Sequence, residues 1–132
     1  MVKTQRHREA LNSLLLSTHL LAVEILRYGD HAQPRENDRS KRVCRFCKID
    51  VETPEHALLT CGASPEVVSL RRAFLEKLFI DAPTLRVLMD LLEPIEFFKA
   101  IIYERSTIAL VAKFAYEVLE VFYETPVVRS AV

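Results

Sequence analysis

Glycine and tryptophan are what this sequence has least of: two glycines, Gly29 and Gly62, and no tryptophan in 132 residues. With so few glycines there is no Gly-rich phosphate loop and little room for the tight turns of a many-stranded β fold. Three cysteines are an odd number, whereas a disulfide framework would want an even count together with a secretory signal. No run approaches 18 apolar residues free of charge, so no transmembrane helix is expected. Neither a nucleophile elbow nor an H-E-x-x-H pair occurs. His7, His19 and His31 stand alone, and each reads more simply as a surface or satisfied histidine than as a catalytic base. The chain is therefore expected not to be an enzyme.

What is present is apolar and regular. Half of the residues are hydrophobic, which excludes a disordered chain and suits one domain spanning 1–132. Lys3, Arg6 and Arg8 ahead of an apolar stretch faintly suggest a targeting segment. Asn12, His19 and Glu24 interrupt that stretch, and no small-residue cleavage site follows. An intracellular protein is expected, with nucleus and cytoplasm not distinguished.

Every cysteine falls in one window, spaced C-x2-C-x8-H-x4-C: Cys44, Cys47, His56 and Cys61. Three thiols and an imidazole in that order match the Cys3His set of a closed tetrahedral zinc site. A redox C-x-x-C would want a βαβ context, and three free thiols would leave the histidine unexplained. Thr53-Pro54-Glu55 reads as N-cap, first helical residue and acidic first turn, placing His56 early in a short helix. A five-residue step along an α-helix rotates by about 500°, leaving His56 and Cys61 roughly 140° apart. Cys61 is therefore expected where the helix stops, with Gly62 allowing the stop. Four protein ligands leave no position for water, so the ion is expected to be structural.

These residues carry a resemblance. Arg42-Val-Cys-Arg-Phe-Cys47, Val51-Glu52, Glu55-His56-Ala-Leu-Leu-Thr-Cys61, and Leu70-Arg71 with Phe74 resemble the zinc-binding C-terminal region of non-LTR retrotransposon reverse transcriptases. His19-Leu-Leu-Ala-Val-Glu24 and Arg27-Tyr28 look like the helix that precedes the knuckle there. The likeness covers roughly residues 18–75. It implies a module that helps hold template RNA or target DNA beside a polymerase. The polymerase itself would need paired aspartates in a palm, which nothing before residue 18 supplies. A transposon-derived gene, a truncated copy and one domain of a longer protein all fit that departure.

Charge is uneven although its sum is zero. Residues 1–48 hold ten Lys/Arg and five Asp/Glu, residues 49–132 eight and thirteen. The cations thicken around the knuckle, at Arg35, Arg39, Lys41, Arg42, Arg45 and Lys48, as phosphate contacts require. Phe46, between the knuckle cysteines, is a candidate stacking platform for a base; the alternative is that it packs beneath the knuckle. Arg39, Lys41, Arg42, Arg45, Phe46 and Lys48 are thus the candidate RNA or DNA contacts.

Helical periodicity and caps lay out the rest as an all-α domain with at most a tiny hairpin from Val43, Ile49 and Val51. Residues 5–28 read as helix in two pieces, with a break at Ser17-Thr18, Thr18 as the second N-cap and Gly29 as the stop. Residues 30–42 are a polar loop and the segment expected to move most. The knuckle occupies 43–62 and C-terminal helices 64–124. These begin at Ser64-Pro65, Asp81-Ala-Pro83 and Glu93-Pro94, with an interruption near 104–106. The last is the most apolar, with a narrow stripe of Lys113, Glu117, Glu120 and Glu124. It reads as a central core helix, or as one that completes its burial against a protein partner or a second copy. A zinc-stapled protein-interaction domain is accordingly the second functional reading. Because these helices have a core of their own, metal removal is expected to disorder only about residues 40–63.

Overall fold

Two N-terminal helices, a compact turn region and four C-terminal helices follow one another along the chain. In a computed structural model, residues 2–29 and 34–128 are described. The α-helices are α1 (Gln5–Leu15), α2 (Ala22–Tyr28), α3 (Pro65–Asp81), α4 (Thr84–Leu91), α5 (Pro94–Tyr103) and α6 (Ile108–Tyr123). The only extended pairing among the described residues is one antiparallel bridge, Val43 with Val51. The expected all-α class and minimal hairpin are what the structure shows.

Caps and helix-opening prolines mark several of the boundaries. The Ser64 side chain accepts from the Val67 amide with Pro65 in the first turn of α3, and Pro94 opens α5 in the same position. The interruption before α6 is a 3-10 turn, Arg105–Thr107, started by the Glu104 carboxylate accepting from the Ser106 amide. At Gly29, φ is 74°, a conformation that favours glycine, and its amide still reaches the Ile25 carbonyl to close α2.

α6 is the central helix. Eight of its residues, from Val111 to Phe122, are buried, and α1, α3 and α5 all pack on it. Leu11 and Leu14 bring α1 to it, and the parallel rings of Phe74 and Phe114, 4.1 Å apart, bring α3. Cys44, Ala57, Leu58 and Cys61 belong to the same continuous apolar cluster as these helices. The knuckle is therefore part of the main core, and the expectation that metal removal would disorder residues 40–63 alone does not fit this packing. Buried His19 accepts from the Leu21 amide, and burial pushes its pKa down to about 4, so it is a neutral, satisfied histidine.

One expectation at the N-terminus is overturned. Thr18 does not cap the second helix. The chain leaves α1 through Ser17 at φ 55° and re-enters helix only at Ala22. Its cap comes from thirty residues away: Glu52 Oε1 accepts from the Ala22 amide at 2.8 Å, and the Glu52 carbonyl from the Val23 amide at 3.2 Å. A carboxylate from the knuckle does what a local threonine was expected to do, because helix N-termini favour any well-placed anion.

The same carboxylate holds Arg45. Glu52 is fully buried and the Arg45 side chain is 3 % exposed, with 2.7 Å between Nη2 and Oε1. Nε also donates to the carboxylate, Nη1 to the Phe122 and Thr125 carbonyls, and Nη2 to the Leu20 carbonyl as well. All five guanidinium N–H groups are thereby used. Arg42 is spent similarly, on the carbonyls of Val23, Glu36 and Asn37, which ties the described part of the polar loop to α2. Replacing Arg45 with methionine strands the buried Glu52 charge. The expected loss is about 3–5 kcal/mol of unfolding free energy in urea titrations, a large part of a small domain's stability. A change under about 1 kcal/mol would show that water reaches Glu52.

Candidate metal centre

The four ligand candidates arrive from two short elements. Cys44 and Cys47 flank a turn in which the Phe46 amide donates to Cys44 Sγ at 3.4 Å and the Lys48 amide to the Cys44 carbonyl. Lys48 takes φ 60°, which turns the chain back toward the Val43–Val51 bridge. Thr53 caps the next segment as expected, its hydroxyl accepting from the His56 amide.

Beyond that cap the helix is not α. His56–Thr60 forms a π-helical turn, and the Cys61 amide donates to the His56 carbonyl at 2.9 Å. An i→i+5 bond widens the turn by one residue. His56 and Cys61 are thus brought to one side, where α geometry would hold them roughly 140° apart. Cys61 then leaves in an extended conformation, φ −66° and ψ 122°. That end needs no glycine. Gly62 does not adopt a positive φ, and a Cβ built on it meets nothing within 4 Å. The role expected for Gly62 is therefore corrected: the stop comes from the wide turn and from Cys61.

Cys44, Cys47, His56 and Cys61 each offer one donor atom, and all four atoms lie within 4.8 Å of one another. Cys44 Sγ and Cys61 Sγ are 3.7 Å apart, and Cys47 Sγ and His56 Nε2 3.5 Å. A tetrahedral site with Zn–S arms of about 2.3 Å and a Zn–N arm of about 2.0 Å needs edges of about 3.8 and 3.5 Å. A disulfide would need about 2.05 Å, and all three cysteines are free. The donor set and its spacing fit a metal ion.

Electrostatics agree. Burial pushes the Cys44 thiol well above its usual range, against two backbone amides and beside Cys61. A divalent cation supplies the charge that makes such a thiol ionise in place. Burial lowers the pKa of His56, so its imidazole is neutral, and the exposed Asp50 carboxylate 4.0 Å from Nδ1 is not an ion-pair partner. Thr60 Oγ1 lies 2.9 Å from His56 Nδ1 and 3.3 Å from the His56 carbonyl. With the hydroxyl proton on the carbonyl, Oγ1 accepts from Nδ1–H, leaving the Nε2 lone pair aimed at the sulfurs. Arg71, from α3, donates to the carbonyls of Ala57, Leu58 and Cys61, satisfying the end of the wide turn.

The structure treats the cationic patch differently. Arg42 and Arg45 are buried and committed to carbonyls and Glu52, so neither presents a guanidinium to a phosphate. Phe46 packs edge-on against Phe122, centroids 4.8 Å apart, as the alternative for that residue had it. Arg35, Arg39 and Lys48 are exposed and Lys41 is half-buried. Thr60 and the role of Arg71 were missed. The signal for Thr60 was its place four residues after a ligand histidine, where a wide turn brings its hydroxyl back to the ring.

Gly62→Ala is expected to leave metal affinity unchanged and to raise stability by about 0.4–1 kcal/mol, since it lowers chain entropy only in the unfolded state. A thermal melt showing destabilisation would restore the glycine's role at the turn. No family model matches the chain, and neither a curated protein nor a solved structure matches it, so a functional reading rests on this four-ligand geometry.

Proposed function

We propose that the chain is a non-catalytic zinc-binding helical module, in which the ion is a structural staple. The observation that carries this is the convergence of one donor atom each from Cys44, Cys47, His56 and Cys61 within 4.8 Å, with two edges at the lengths a tetrahedral zinc site requires. Three thiolates and an imidazole suit zinc over hard, oxygen-seeking ions. A full set of four protein ligands offers no position to a substrate or an activated water. The staple's work is to hold the wide turn against the knuckle, and through Glu52 and Arg45 to seat α2 and the end of α6.

Elemental analysis of protein purified without chelator tests this, and one zinc per chain is the expected result. Stoichiometric iron, or no metal after zinc-replete expression, would overturn it. Because the ligands belong to the main core, chelation is expected to lower the melting temperature of the whole helical signal. An unchanged melt would mean that the ion is not a staple.

A second reading, contact with RNA or DNA as the reverse-transcriptase resemblance implies, has the exposed Arg35, Arg39 and Lys48 with half-buried Lys41 in its favour. Four cations predict a logarithmic salt slope no steeper than about −4, and Arg39→Gln with Lys48→Gln is expected to flatten it by about 2. Absence of any shift with single- or double-stranded probes at low salt would dismiss this reading.

A further inference from the structure

The acidic half of the chain has a basic groove. Residues 49–132 contain eight Lys/Arg against thirteen Asp/Glu, yet Arg71, Arg72 and Arg86 line a single groove with Glu76 as its one carboxylate. The groove lies between α3 and the start of α4 and has a volume of about 790 Å³. Its floor is Val68, Leu75, Phe79, Ile80 and Pro83, with Ile80 78 % exposed. Pro83, Val87 and Leu91 succeed one another at four-residue steps, so an apolar face of α4 runs on from the groove. Val87 is 59 % and Leu91 74 % exposed.

We infer that this groove is a docking site for an acidic amphipathic helix of a protein partner. A furrow between two helices matches the ridge of a third, which lays an apolar stripe spaced i, i+3/i+4, i+7 on the floor. Arg72 and Arg86 are exposed, and neither guanidinium pairs with a described residue, so both are available to carboxylates flanking that stripe. Arg71 is held in place by the carbonyls of the metal-bearing turn, which makes its wall rigid. The inference goes beyond the zinc reading and does not depend on which ion is bound.

The probe is a fluorescein-labelled synthetic peptide of about 16 residues with leucines on one helical face and glutamates elsewhere, long enough to form helix on a surface. A control peptide carries lysine for every glutamate. Titrated with the full, metal-loaded chain, the glutamate peptide is expected to give saturable polarisation, and the lysine peptide to bind at least about tenfold more weakly. Ile80→Asn, on an exposed side chain, is expected to remove binding without moving the melting temperature. Arg72→Glu with Arg86→Glu is expected to reverse the peptide preference. Equal binding of both peptides, or binding untouched by Ile80→Asn, would overturn the proposal. So would self-association in sedimentation that Ile80→Asn abolishes, since a second copy would then be the occupant.

Discussion

The Arg45–Glu52 pair is the constraint on which the other contacts depend. Both charges are removed from water, and such a pair contributes little net stability compared with apolar packing of the same volume. What it contributes is position. One carboxylate caps α2 and receives the backbone amide of Arg45, and one guanidinium reaches Leu20, Phe122 and Thr125. Four separate stretches of chain meet at two side chains, and with every donor used there is one arrangement that satisfies them all.

The metal centre shares that junction, since Arg45 stands between the two knuckle cysteines. Their turn sets the direction of its side chain, and the same turn sets the direction of two sulfurs. The wide turn at His56–Thr60 completes the arrangement from the other side. π turns have poorer intrinsic stability than α turns and persist where something else needs their geometry. Here Arg71 takes the Ala57, Leu58 and Cys61 carbonyls that the turn leaves over, and a bound cation would fix its two ends.

Much of this was legible in the sequence. Proline and serine at helix starts, glycine at the end of α2 and the ligand spacing act locally, and local chemistry is what a sequence displays. Arg45 and Arg42 were misread because basic residues in a polar stretch ordinarily face water. Only contacts at long separation, to Phe122 in one case and Val23 in the other, turn them inward. The Thr18 cap failed for the same reason, displaced by a carboxylate thirty residues beyond the start of α2. Gly62 was credited with a bend because α geometry was assumed. The wide turn depends on backbone hydrogen bonding that no residue type announces.

The reach of Arg45 also has a consequence in time. Its acceptors on Phe122 and Thr125 lie 77 and 80 residues further along the chain. At about 5–20 residues per second, roughly 4–16 s of synthesis separate the arginine from the carbonyls that bury it. All four metal ligands, by contrast, exist once residue 61 has been made. A cation captured at that stage would hold the turn in shape while α6 is still being made. It would keep a guanidinium that is later enclosed aimed at the place where that helix arrives.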